Sequence, residues 1–118
     1  MTSSIYPLPA TANAVVAATN ILTSDIEITS EMVSPGGGGI LRLYFSFAFS
    51  STPGTISVFN NGTLKGNLNS DNSQNLVDNG YYRFDIDVEA GDNINLQSPT
   101  DAISAVNFFR AHLVQFGA

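Results

Sequence analysis

The chain has no cysteine, no tryptophan, one histidine and only four Lys or Arg residues in 118. Each shortage closes off a kind of chemistry. Without cysteine there are no disulfides, no thiolate metal ligands and no sulfur nucleophile, and the redox compartment leaves no mark. A Ser-His-Asp triad or a histidine metal centre would depend on His112 alone. The serines lack a G-x-S-x-G elbow. The fixed cations Arg42, Lys65, Arg83 and Arg110 are scattered along a chain of net charge −6. That disfavours a nucleic-acid backbone and an anionic membrane surface as partners. No run is long and apolar enough to span a bilayer. The start, MTSSIYPLPA, has neither the basic end nor the apolar core of a secretory signal. Lack of tryptophan, with only four tyrosines, also weakens the flat aromatic platform on which sugars stack.

Charge of either sign is scarce, at 12% of residues, and Ser, Thr, Asn and Gly fill the polar positions. Such a composition suits a β-rich protein with a surface of hydroxyls and amides. It equally suits a subunit that buries much of its outside, since interface cores are depleted of charge. The length allows one domain with one core.

What is present is alternation. In ILRLYFSFAF, Leu41, Leu43, Phe45, Phe47 and Phe49 share one parity, and Arg42, Tyr44, Ser46 and Ala48 the other. This is the period of a half-buried strand. In YYRFDIDVE, Tyr82, Phe84, Ile86 and Val88 alternate with Tyr81, Arg83, Asp85, Asp87 and Glu89. Asn61-Gly62 between TISVFN and TLKG is a hairpin signal of the type I′ kind. Ala90-Gly91-Asp92-Asn93 reads as a tight turn before a short strand around Ile94 and Leu96. AVVAATNIL and DIEITSEMV read as two further strands, with Ile26 and Ile28 on one face. NLNSDNSQNLVDNG reads as a long loop, and ISAVNFFRAHLVQF as a closing strand. Seven or eight short strands and no amphipathic helix predict an all-β fold, an antiparallel β-sandwich of jelly-roll-like or immunoglobulin-like form.

Several stretches suggest chemistry without supplying its requirements. SPGGGG, Ser34 to Gly39, lacks the Lys and Ser/Thr of a phosphate loop and runs into a strand. Successive members of Asp85, Asp87 and Glu89 lie about 7 Å apart along one strand, a spacing that overlaps that of a glycosidase pair. Alternation points them at water, where nothing raises a carboxyl pKa. Asp92 and Asn93 after Gly91 are a better calcium candidate, although turns are commonly rich in both residues. Asn61-Gly62-Thr63 matches a glycosylation acceptor but reads first as a turn. The expectation is a protein that is not an enzyme and needs no metal or cofactor.

Two segments point instead to surfaces. In the closing strand, Ile103, Ala105, Phe109, Ala111 and Leu113, with Asn107, are expected to face the core. Val106, Phe108, Arg110, His112, Val114 and Phe116 are expected to face outward. Apolar residues flanking Arg110 on an outward face suggest a subunit contact through Phe108, Arg110 and Phe116. Residues 1–12 carry two prolines and no strand pattern, so they read as an extended arm before a single sandwich domain over 13–118. Ile5, Tyr6 and Leu8 are its candidate anchors on a neighbour.

Taken together, the extended start, ILRLYFSFAF, YRFDIDVEAGDNINLQ and the ending RAHLVQFGA resemble small β-sandwich virion proteins of tailed viruses. In those a V-x-x-GD-x-I/Y-N strand-turn-strand precedes a closing strand that ends near Gly-Ala. Here these positions are Val88, Gly91, Asp92, Ile94 and Asn95, then Gly117 and Ala118. The resemblance covers roughly residues 13–118 and implies a capsid decoration (cement) or other accessory coat protein located in the virion. Such proteins are frequently trimeric and bind a major capsid or tail protein, and no active-site residue transfers. The alternative is a receptor- or carbohydrate-binding module of a tail fibre or cell surface.

Overall fold

Alternating residues can bury one face of a strand only if a second layer covers that face, and two stacked sheets meet the requirement here. In the computed structural model residues 3–33, 39–50, 55–68, 76–99 and 101–116 are described, with the side chains of Ser3, Ser4, Tyr6 and Phe116 left aside. They form eight strands: β1 (Ser3–Leu8), β2 (Ile26–Glu27), β3 (Gly39–Phe49), β4 (Ile56–Asn60), β5 (Thr63–Leu68), β6 (Tyr82–Val88), β7 (Asn93–Gln97) and β8 (Ile103–Phe116). One sheet has the order β1-β8-β3-β6 and the other β2-β7-β4-β5, with every pairing antiparallel. One layer holds β1, β3, β6 and β8 and the other β2, β4, β5 and β7, in the strand order of a jelly roll, so the expected all-β sandwich is what the chain forms.

The core is the inner face of both sheets. Leu41, Leu43, Phe45, Phe47 and Phe49 of β3 are all buried. Phe45 stacks on Phe47 with centroids 4.7 Å apart and on Phe84 of β6 at 5.8 Å. Ile56 and Val58 of β4 and Ile94 and Leu96 of β7 close the core from the second sheet. Asn61 and Gly62 have φ of 53° and 82°, the two positive values that a type I′ hairpin turn demands. Ile26 and Ile28, expected to share one face, are both buried.

Four expectations change. AVVAATNIL is not a strand: it makes only isolated bridges, Ala12 to Leu22, Val15 to Ile103 and Asn20 to Gln97. The cause is Asn20, whose side-chain oxygen accepts the N–H groups of Leu22 at 3.1 Å and Leu96 at 3.3 Å, so a side chain replaces part of a ladder. DIEITSEMV holds only the two-residue β2. It then turns, with the N–H groups of Met32 and Val33 both donating to Thr29. Residues 1–12 are not without a strand, because β1 pairs with β8 from Ser3↔Phe116 to Leu8↔Ala111. Pro7 is tolerated because β1 is an edge, where a missing donor breaks no ladder on the open side.

The fourth change lies in β8. Its register against β3 slips between Ser46 and Phe47 and again between Ala48 and Phe49. Asn107 and Ser104 are therefore extra residues on β8, each a bulge that reverses the facing of what precedes it. Val106, expected outside, packs against the core, and Ala105, expected inside, is exposed. From Phe108 to Leu113 the expected parity holds, with Ala111 and Leu113 buried, while Val114, expected outward, is buried as well. Most of SPGGGG, the centre of the long loop and Gly117-Ala118 lie outside the described residues.

Candidate functional site

The outer face of the first sheet gathers most of the residues singled out above. Register arranges them in rows across the strands. Ile5, Val114, Ile40 and Asp87 form one row, and Pro7, His112, Arg42 and Asp85 the next. Arg110, Tyr44 and Arg83 form the third, and Phe108 beside Ser46 begins the fourth. The face thus runs from an apolar end at Ile5 to an aromatic and cationic end at Phe108. It carries Arg42, Arg83 and Arg110, three of the four fixed cations of an acidic chain.

Ile5 is 59% exposed. Neighbouring Val114 is buried and Ile40 half-buried, which makes a short chargeless strip over three strands. Leu8 sits elsewhere. It is half-buried and packs against the core, because β1 alternates and Leu8 has the parity opposite to Ile5, so the two do not share a face. Tyr6 is opposite Leu113 and Phe116 opposite Ser3 in the register.

In the second row Arg42 donates to both oxygens of Asp85, Nε at 2.9 Å and Nη2 at 3.1 Å. Arg83 adds a contact of 3.3 Å to the same carboxylate. The bond from Arg42 holds the Asp85 carboxyl below its ordinary pKa, with partial burial opposing and Arg83 assisting. The Arg42 guanidinium is correspondingly raised. His112 meets the Tyr44 ring edge-on at 5.4 Å between centroids. Its enclosed Nδ1 has no hydrogen-bond partner among the described residues.

At the far end the Arg110 guanidinium lies 5.6 Å from the centre of the Phe108 ring. Tyr81, 75% exposed, also approaches Phe108, with ring centroids 6.2 Å apart. Tyr44, Tyr81, Tyr82, Arg83 and Phe108 line a shallow groove of about 220 Å³. The closing strand alone pointed to Phe108 and Arg110. Tyr44 comes from β3, Tyr81 from the approach to β6 and Arg83 from β6 itself, and only the sheet order brings them alongside.

Two other acids, Asp92 and Asp25, brace turns and loops. The Asp92 carboxylate accepts the N–H of Glu89 at 2.9 Å and ties the turn before β7. Asp25 holds the amides of Asn20 at 2.8 Å and Asn93 at 3.0 Å, fastening the loop before β2 to the second sheet. Among the described residues no three His, Cys, Asp or Glu side chains converge as a metal site would require. No known protein family, curated protein or solved structure matches the chain.

Proposed function

We propose that this chain is a non-enzymatic structural protein of a virus particle, a capsid decoration (cement) or other accessory coat protein, working as a homo-oligomer, with a trimer the expected form. The observation that carries the reading is the chargeless strip of Ile5, Val114 and Ile40 at one end of the outer face. An exposed isoleucine on an edge strand, continuous with apolar neighbours on the next two, is the composition of an interface core. Jelly rolls recur in coat proteins, which supports the assignment by analogy of fold, alongside the likeness of its strand-turn-strand to small virion proteins.

The mechanism is multivalent. Each strip is small, and closed symmetry repeats it, so several weak contacts act together and join neighbouring major capsid or tail subunits. Two measurements test this. Light scattering should give an oligomer for the native chain and a monomer for Ile5→Asp. Purified protein should add back to particles stripped of it, at sites that a low-resolution image would locate. A native monomer that ignores such particles would end the proposal.

A further inference from the structure

The aromatic end of the same face has a different character. Ile5 and Arg110 are two rows apart, about 13 Å at the usual strand rise, so the two ends can serve separate partners. We propose that the groove between Tyr81, Tyr44 and Phe108 binds an acidic sugar, the carboxylate-bearing pyranose of a hexuronic acid residue in a glycan.

Three observations converge on that class of ligand. The first is shape. At about 220 Å³ the groove is smaller than the pockets that enclose drug-sized ligands, and its walls are rings rather than aliphatic chains. The C–H groups of a pyranose carry partial positive charge, and the negative face of an aromatic ring attracts them. Tyr81, three-quarters exposed, leaves most of its side chain open to such a ligand.

The second is charge. Arg83 lines the groove and Arg110 borders it through its contact with Phe108. Arg42 is engaged at both Asp85 oxygens, whereas Arg83 makes a single longer contact and Arg110 pairs with no carboxylate among the described residues. Arginines held beside aromatic rings in a chain of net charge −6 call for an anion, and the guanidinium fork matches a carboxylate.

The third is the amide pair beside the rings. Asn107, the bulge residue preceding Phe108, donates from Nδ2 to Asn79 Oδ1 at 2.7 Å. Asn79, two residues before Tyr81, is held at a φ of 62°. Asn107 Nδ2 also reaches Ser46 Oγ at 3.4 Å, so the pair fastens the approach to Tyr81 against the bulge that precedes Phe108 and holds the two rings in place. Bulges commonly re-aim a side chain in this way.

The test is an NMR titration of the intact protein with sodium glucuronate, glucose, acetate and a capped Asp-Phe-Asp peptide. Glucuronate should shift the amides around Tyr44, Tyr81, Phe108 and Arg110 saturably. Glucose and acetate each lack half of the recognised group and should bind at least about tenfold more weakly, the loss expected when a charged hydrogen bond goes unmade. Tyr81→Ala and Arg110→Gln alter exposed side chains and should leave the remaining spectrum in place. Each should weaken glucuronate at least about tenfold on the same grounds. Absence of saturable shifts, shifts mapping elsewhere, or acetate binding as well as glucuronate would overturn the proposal. So would tighter binding of the peptide, which would make the groove a protein contact. Oligomer size is untouched by these outcomes, so the assembly proposal stands or falls separately.

Discussion

Arg42 and Asp85 face each other across β3 and β6 with their side chains 19% and 33% exposed, and that partial cover makes their pairing measurable by pH. The bond from Arg42 lowers the folded-state pKa of Asp85. A carboxyl depressed by folding adds stability above its unfolded value and loses it as pH falls through the folded one. Asp85→Asn should therefore be less stable than the native chain near neutrality. The gap should close as pH drops below about 3.9, the ordinary Asp value. Urea midpoints measured across that range would show it. A gap that persists in acid would mean Asp85 acts by packing rather than by charge. The gap should also shrink in salt, as surface pairs do.

At the scale of elements, β8 separates what can be read from a sequence from what cannot. The alternation of β3 and β6 was legible because these two strands keep one register against each other and neither carries an extra residue there. The turn at Asn61-Gly62 was legible because few residue pairs accept two positive φ values. A bulge leaves no such mark, since one extra residue in the backbone pairing alters neither composition nor hydropathy. AVVAATNIL was misread as a strand for a related reason, because Asn20 competes for backbone donors only after the fold brings Leu96 to it. Half of the aromatic groove was hidden likewise, since Tyr44, Tyr81 and Phe108 become neighbours only through the order β8-β3-β6. The bulges can be tested with two substitutions. Val106→Asp puts a charge against the core and should cost at least about 2 kcal/mol. Ala105→Asp, on the exposed side, should stay within about 0.5 kcal/mol. Chemical denaturation of both variants decides it, and the reverse order would restore uninterrupted alternation.

For the whole molecule, the jelly-roll order places the first and last strands side by side, and this changes what a truncation would mean. As a free arm, residues 1–10 could be removed at the cost of assembly alone. As β1, they supply a six-residue ladder to β8 and bring Leu8 onto the core. Removing them should lower the urea midpoint, with Leu8 alone worth up to about 1.5–3 kcal/mol if fully buried. It should also bare the edge of β8, which invites aggregation. Any change in oligomer size would then be ambiguous. Ile5→Asp removes the ambiguity: it keeps the ladder and Leu8, alters only the outward side of β1, and should hold the midpoint within about 0.5 kcal/mol. Dissociation of Ile5→Asp by light scattering at an unchanged midpoint would assign assembly to the apolar end of the face. Retention of the native oligomer by that variant would remove the strip from the mechanism, whatever the truncated chain does.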